Sequence, residues 1–548
     1  MNSCLNTGTF DCRNHVTSCS NSEVFNSGDI PASATLFFLD SYHATGGTLL
    51  TVRRVDKSHG LQAISALELP VPFVIGPGKS WRSCVRRAPS ACNGNTTPRT
   101  CARYPGAACD VNSYAYLPFL HEMGFCPSKK YVTAPEIKGY LEQVCERHEL
   151  LGRILLNTKL MKATYDPQKR LWILHTDRDD AFTARFLIMG CGPLSTPRLP
   201  DIDGMNAFQG EAFHTSQWPE HCDLSGKTVG VVGTGASAAQ VVPELAKVAG
   251  HLYVFQRTPA WCVPREDCPT PASLRQELLD SAPCAKKMRQ QTVDWFDKEL
   301  FPQLQDVDRN TARAAELREA LMATVKDPVV AAKLCPTHPV GCKRTCVVDD
   351  YWPTFNRENV TLVAEGGVSK VCDRGVITAN GGVYDVDVLV YATGFDAFSD
   401  GFKGFDVRGV DGKSLLEHWD GGPKTLYGIH VSGFPNMFLL VGPQSPTILQ
   451  NTTEVIQTQA EYIVSVVTKL RNTGAQAIVD AEPDAETKWI DHCTQHYPGS
   501  VWSRCDNWYN KKSQGAVGPV VVDGYIGKFS EYLEGLHGEG DAGLRIDG

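Results

Sequence analysis

An α/β fold, with parallel sheets built from strand–turn–helix units, is predicted by three stretches of this sequence. Lys227 to Val232 (KTVGVV) reads as an apolar strand, followed by a glycine turn (GTGASA), a helix through AAQVVPELAKVA and a second strand, His251 to Gln256. Asp385 to Phe395 (DVDVLVYATGF) and Phe434 to Pro446 (FPNMFLLVGPQSP) each run from an apolar strand into a Gly- or Gly/Pro-rich turn. Residues 270–333 are charged and mostly helical, an insertion rather than a further sheet core. Together these predict two dinucleotide-binding (Rossmann-like) domains.

The bulk properties bound the function. A chain of 548 residues is too long for one core and divides into two or three domains. Its 42% hydrophobic and 21% charged residues are ordinary for a globular protein. A net charge of −8 and a pI near 6.0 argue against nucleic acid or an anionic membrane as the main partner. No run approaches the roughly 20 apolar residues of a membrane-spanning helix. MNSCLNTGTFDCRN lacks a basic stretch followed by an apolar core, so no signal peptide is expected. Twenty cysteines include no CxxC pair, and Cys342 with Cys346 has no second pair at zinc-ligand spacing. Reduced core thiols, no metal site and a cytoplasmic enzyme are the expectation.

Taken in order, residues 1–100 give little. Ala34 to Leu39 can be a strand, and PFVIGPGKSW (Pro72 to Trp81) places Gly76 and Gly78 where a dinucleotide fingerprint has its first two glycines. The third position is Trp81, whose indole would block close helix–strand packing. Periodic sequence begins at Arg103 with RYPGAACDVNSYAYLPF. A helix follows, with Ile137, Tyr140, Leu141 and Val144 on one face. Ile154 to Tyr165, Leu171 to His175 and Phe182 to Met189 read as strands, Gly190 to Pro200 as a domain crossing, and Thr452 to Leu470 as a helix.

The fingerprint is convincing because strands flank it. Gly233 and Gly235 permit a tight turn and close backbone approach, Ala238 close packing, and the helix start faces a pyrophosphate. Pro243 predicts a kink in that helix. After the second strand, where an NAD enzyme carries an acid, stand Gln256, Arg257 and Thr258. A guanidinium there pairs with a 2′-phosphate, which favours NADPH. Just ahead of the fingerprint lies FQGEAFHTSQWP, with Phe208, Gly210, His214, Thr215, Trp218 and Pro219 as its distinctive positions.

That motif, with RYPGAACD, GTGASAAQ, FQRTPAW, PVGCKR, DVLVYATGF, GFPNMF and the pair Trp508–Tyr509, resembles the type I Baeyer–Villiger monooxygenases, FAD- and NADPH-dependent enzymes. The resemblance runs from about Arg103 to about Leu533 and is strongest to fungal secondary-metabolite enzymes. It implies hydride transfer from NADPH to FAD, and insertion of one oxygen from O2 next to the carbonyl of a small-molecule ketone, giving an ester or lactone. By position it places Asp110 and Tyr116 along the flavin and Ala108 and Cys109 near the nicotinamide. Gly233, Thr234, Gly235, Ala236, Ser237, Ala238, Ala239 and Gln240 hold the pyrophosphate. Gln256, Arg257 and Lys343 lie near the 2′-phosphate, and Trp508 closes over the nicotinamide. Arg344 corresponds to the catalytic arginine beside the flavin, oriented by Asp110, and His214 to a linker between domains.

The same resemblance assigns 101–195 and 386–548 to a discontinuous FAD domain, and 196–385, with the insertion 270–333, to an NADPH domain. Residues 1–100 lack, in order, the first GxGxxG, an acid closing its second strand, and GGTW before RYPG. The N-terminal FAD unit is therefore incomplete, through an altered upstream sequence or a real loss of FAD binding. The alternatives are an N- or S-oxidising flavin monooxygenase, and a non-catalytic NADPH-binding relic without FAD.

Overall fold

The structure is a computed structural model that describes residues 50–51, 103–155, 158–194, 196–396, 398–447, 449–507, 510–511, 521–538 and 543–548. The candidate strand at Ala34 to Leu39, the turn at Gly76, and Trp508 lie outside them.

The central feature is a five-stranded parallel sheet. Its strands are β1 (Glu211–His214), β2 (Thr228–Val232), β3 (His251–Phe255), β4 (Val360–Val363) and β5 (Val388–Tyr391), in the order β4-β3-β2-β5-β1. Buried parallel strands read as continuous apolar runs rather than apolar–polar alternation: Val229, Val231, Val388, Leu389 and Val390 are all at most 1% exposed. Helix α1 (Ala236–Val248) follows β2 directly and buries Ala238, Ala239, Val241, Val242, Leu245 and Ala246. Two alanines at its start let it approach the sheet closely. Pro243 sits inside α1, which continues for another turn.

One boundary moves. The division placed at 385/386 falls ahead of β5, yet β5 pairs with Thr228–Val232 on one side and Glu211–His214 on the other. A buried VLVY run fits a strand of either sheet, so only pairing could assign it. The motif around His214 is likewise part of this sheet rather than a free linker. Gly210 is required there because a Cβ would fall within 3.0 Å of the Asp387 carbonyl oxygen and the Phe208 ring. His214 ends β1, accepts a hydrogen bond from the Ser216 N–H at Nδ1 (3.2 Å) and is 1% exposed. Trp218 packs edge-on against Phe213.

A second core forms on strands Leu187–Met189 and Met437–Leu439, which pair in parallel and are buried along their whole length. An antiparallel set, Leu160–Asp166, Leu171–Thr176 and Ala181–Ala184, covers one side, and helix Thr452–Thr473 packs on the other. The insertion is helical as expected, in segments from Ala272–Asp280 to Pro328–Leu334.

Cysteine pairing differs from expectation. Cys342 and Cys505 are joined in a disulfide, while Cys346 is buried and free. The two partners lie 163 positions apart, a separation that no spacing rule reads.

Candidate active site

The nucleotide cradle follows from the glycines. Gly233 has φ +113°, and a Cβ there would fall within 3.0 Å of the Ala392 carbonyl oxygen at the end of β5. The protein itself demands this glycine. Gly235, the N-cap of α1, has no protein atom within 4 Å of a notional Cβ. The space it leaves is available to a ligand, directly over the first turn of α1, whose backbone N–H groups have no intrahelical acceptor. Gly235 and Ala236 are exposed; Thr234 is buried and its hydroxyl donates to the Thr258 carbonyl oxygen (2.6 Å). Ser237 is half-buried, and Ala238 and Ala239 face the sheet. This arrangement fits a dinucleotide pyrophosphate.

Gln240 is used differently. Its Nε2 donates to the Ala108 carbonyl oxygen (2.9 Å), and its Oε1 accepts from the Tyr104 hydroxyl (2.8 Å). Both ends of the amide thus fasten α1 to the Tyr104–Asp110 segment. Gly106 (φ +80°) is needed there because the Gln240 carbonyl comes too close for a Cβ. Gln256 is 3% exposed and its Nε2 donates to the Lys333 carbonyl oxygen (2.7 Å). One of its two amide hydrogens is thereby engaged, and Oε1 accepts no hydrogen bond among the described residues.

Arg257 is exposed and forms no ion pair among the described residues. Lys343 lies close enough that the Arg257 charge, after burial, helps to lower its pKa. Two cations held together in this way fit a 2′-phosphate. Lys343 Nζ also donates to the Asp506 carbonyl oxygen (2.8 Å).

The next residue, Arg344, donates from Nη2 to Oδ2 of Asp110. Neither member is deeply buried, with side chains 33% and 20% exposed. Cys109 is enclosed, and burial raises its thiol pKa well above the ordinary value, so it stays neutral. Tyr116 ends the short helix Ser113–Tyr116, and its carbonyl oxygen accepts from the Thr453 hydroxyl (2.8 Å). Asn451 Nδ2 binds the Ala115 carbonyl oxygen (3.0 Å), tying the Tyr116 segment to the Gly442–Asn451 turn.

That turn holds groups the sequence reading missed. Thr447 Oγ1 and Gln450 Nε2 are buried with no hydrogen-bond partner among the described residues. Buried polar atoms are ordinarily satisfied, so this pair fits the polar edge of a ligand bound beside Tyr116, as a flavin ring would be. The incomplete turn at Gly76 and Gly78, which the sequence offers for the adenosine half of FAD, lies outside the described residues.

Known proteins resemble this chain over most of its length. Residues 115–276 match the family model described as pyridine nucleotide-disulphide oxidoreductase. A Baeyer–Villiger monooxygenase of Pseudomonas aeruginosa is 32% identical over 413 residues, covering 74% of this chain and 77% of its own. This chain belongs to the Baeyer–Villiger monooxygenase family. Another relative, pentalenolactone D synthase of Streptomyces exfoliatus, is 33% identical over 494 residues, or 80% of this chain and 83% of its own. Among solved structures, OTEMO in complex with FAD and NADP superposes with a TM-score of 0.73 at 30% identity, covering 81% of this chain and 91% of that one. Family membership accounts for the mixed α/β architecture and for the two-nucleotide site. None of the helices among the described residues is long and apolar enough to cross a membrane.

Proposed function

We propose that this Baeyer–Villiger monooxygenase converts a small ketone to an ester or lactone with NADPH, FAD and O2, in secondary metabolism and in the cytoplasm. The observation that carries this reading is the Arg344–Asp110 pair, set between the nucleotide cradle and the Tyr116 segment. The likeness to pentalenolactone D synthase supports a lactone-forming role.

When bound, NADPH supplies a hydride and FAD the capacity to activate O2. The first turn of α1 binds the nucleotide pyrophosphate through its N–H groups, and Arg257 with Lys343 holds the 2′-phosphate. Arg344 keeps its proton at any working pH, so it offers a fixed positive charge to the anion that attacks the ketone carbonyl. Asp110 fixes the guanidinium by a charge-assisted hydrogen bond and moderates its field. Thr447 and Gln450 supply hydrogen-bonding atoms for the flavin edge. Residues 101–195 with the chain after β5 form the flavin side of this proposal, and 196–391 the NADPH side.

The test is the absorbance of the purified full chain in the flavin region, with and without added FAD, followed by product analysis with ketones of graded size. A flavin spectrum and ketone-dependent ester are expected. A chain that stays colourless with added FAD while binding NADPH overturns the reading in favour of a nucleotide-binding relic.

A further inference from the structure

The disulfide stands next to the groups that recognise the nucleotide. Cys342 immediately precedes Lys343 and Arg344, and Cys505 immediately precedes Asp506, whose carbonyl oxygen accepts from Lys343. The Cα atoms are 6.2 Å apart, a separation that suits a cystine bridge. Cys342 is fully buried in a small apolar cluster with Leu304, Val501, Trp502 and Ile526, whereas Cys505 is half-buried at its edge. Neither Lys343–Arg344 nor the 505–507 stretch belongs to a helix or a named strand. Regular backbone hydrogen bonding therefore does not fix their relative position. The bond and the Lys343–Asp506 contact join them, beside the packing of Cys342 against Val501 and Trp502.

We infer that Cys342 and Cys505 form a reversible thiol–disulfide site that positions Lys343 beside Arg257 and so sets the preference for a 2′-phosphorylated nucleotide. This rests on the reading of Lys343 and Arg257 as the phosphate clamp. Closing the bridge removes two protons and two electrons from the thiols as the S–S bond forms. A hydroperoxide accepts them: its O–O bond breaks and, for hydrogen peroxide, two waters leave. Opening needs a dithiol, which attacks a sulfur of the bridge and ends as its own disulfide. Cys505, the more exposed sulfur, is the accessible point of attack. Cys346, the next cysteine along the chain after Cys342, is buried in register opposite Cys262 and takes no part.

The experiment uses the full chain purified in air, divided into untreated and dithiothreitol-reduced samples. Alkylation with mass mapping is expected to leave Cys342 and Cys505 unlabelled in the first and label both in the second. NADP+ affinity should fall roughly tenfold on reduction, the size of one lost charge-assisted phosphate contact, with NAD+ affinity unchanged. Cys342→Ser and Cys505→Ser in air should reproduce the reduced form, and Cys346→Ser should not. Labelling of both residues in the untreated sample overturns the inference, and so does equal NADP+ affinity in the two samples. If neither sample binds NADP+, the clamp reading fails, and tryptic cleavage after exposed Arg504 decides the tether separately. Slower cleavage in the untreated sample supports it, and equal rates overturn it.

Discussion

Arg344 and Asp110, 234 positions apart in the chain, meet through one charge-assisted hydrogen bond at the junction of the two halves of the site. Replacing Arg344 with Ala is expected to leave NADPH oxidation intact and to reduce ester formation by about 10²-fold or more. Asp110→Asn keeps the shape and loses the charge, so its loss should be smaller, roughly tenfold. The measurement is ester formed per NADPH consumed. An unchanged ratio in Arg344→Ala would remove the arginine from the chemistry.

Gly233 and Gly235 separate folding from binding. Gly233→Ala sets a Cβ against the Ala392 carbonyl at φ +113°, and is expected to destabilise the protein by about 2–3 kcal/mol. Gly235→Ala meets no protein atom within 4 Å, so its melting temperature should match the parent. Its NADP+ affinity should nonetheless drop at least tenfold, because the methyl occupies space meant for the pyrophosphate. Thermal melts with and without NADP+ distinguish the two.

Arg257 gives a third expectation. With Arg257→Ala, KM for NADPH should rise roughly tenfold to a hundredfold while that for NADH stays constant, as expected for a lost phosphate contact. A parallel rise for both nucleotides would place Arg257 elsewhere on the cofactor.

His214 predicts a pH dependence. Burial lowers its pKa to about 4, below the ordinary 6.5, so the folded protein holds the ring neutral. A base with a depressed folded pKa contributes stability that is complete above the unfolded value and is lost as pH falls from 6.5 towards 4. The full contribution is about 3 kcal/mol. Urea unfolding at several pH values should show the His214→Asn variant with a shallower loss across that window. His338, also lowered to about 4 by burial and then by Lys343, acts in the same window and should leave the variant with part of the slope.

The nucleotide half was legible because its signals are local. A strand, a glycine turn and a helix lie within one short stretch from Lys227, and each residue's environment follows from its neighbours in sequence. Gly210 was visible as a motif position, but its cause was not: the Asp387 carbonyl that excludes a side chain comes from a distant strand. Gln256 carries a contact of the same remote kind. Its position suited the phosphate, while the helix Pro328–Leu334 supplies a carbonyl that draws the amide inward. The disulfide, the assignment of β5 and the unpartnered Thr447 and Gln450 all depend on contacts between remote segments, which periodicity does not encode.

The pairing of Leu187–Met189 with Met437–Leu439 sets a timetable for synthesis. All five strands of the parallel sheet have been made once Tyr391 leaves the ribosome, and that sheet can form then. Among the described residues, the strand that pairs with Leu187–Met189 is encoded nearly half a chain later. Long-range parallel pairing is slow, and an apolar strand left open in the meantime is a surface that aggregates or recruits chaperones. Translation that stalls between Gly394 and Met437 would therefore release a chain with a finished nucleotide sheet and an adhesive edge, so that yield in a foreign host should depend on elongation through that interval.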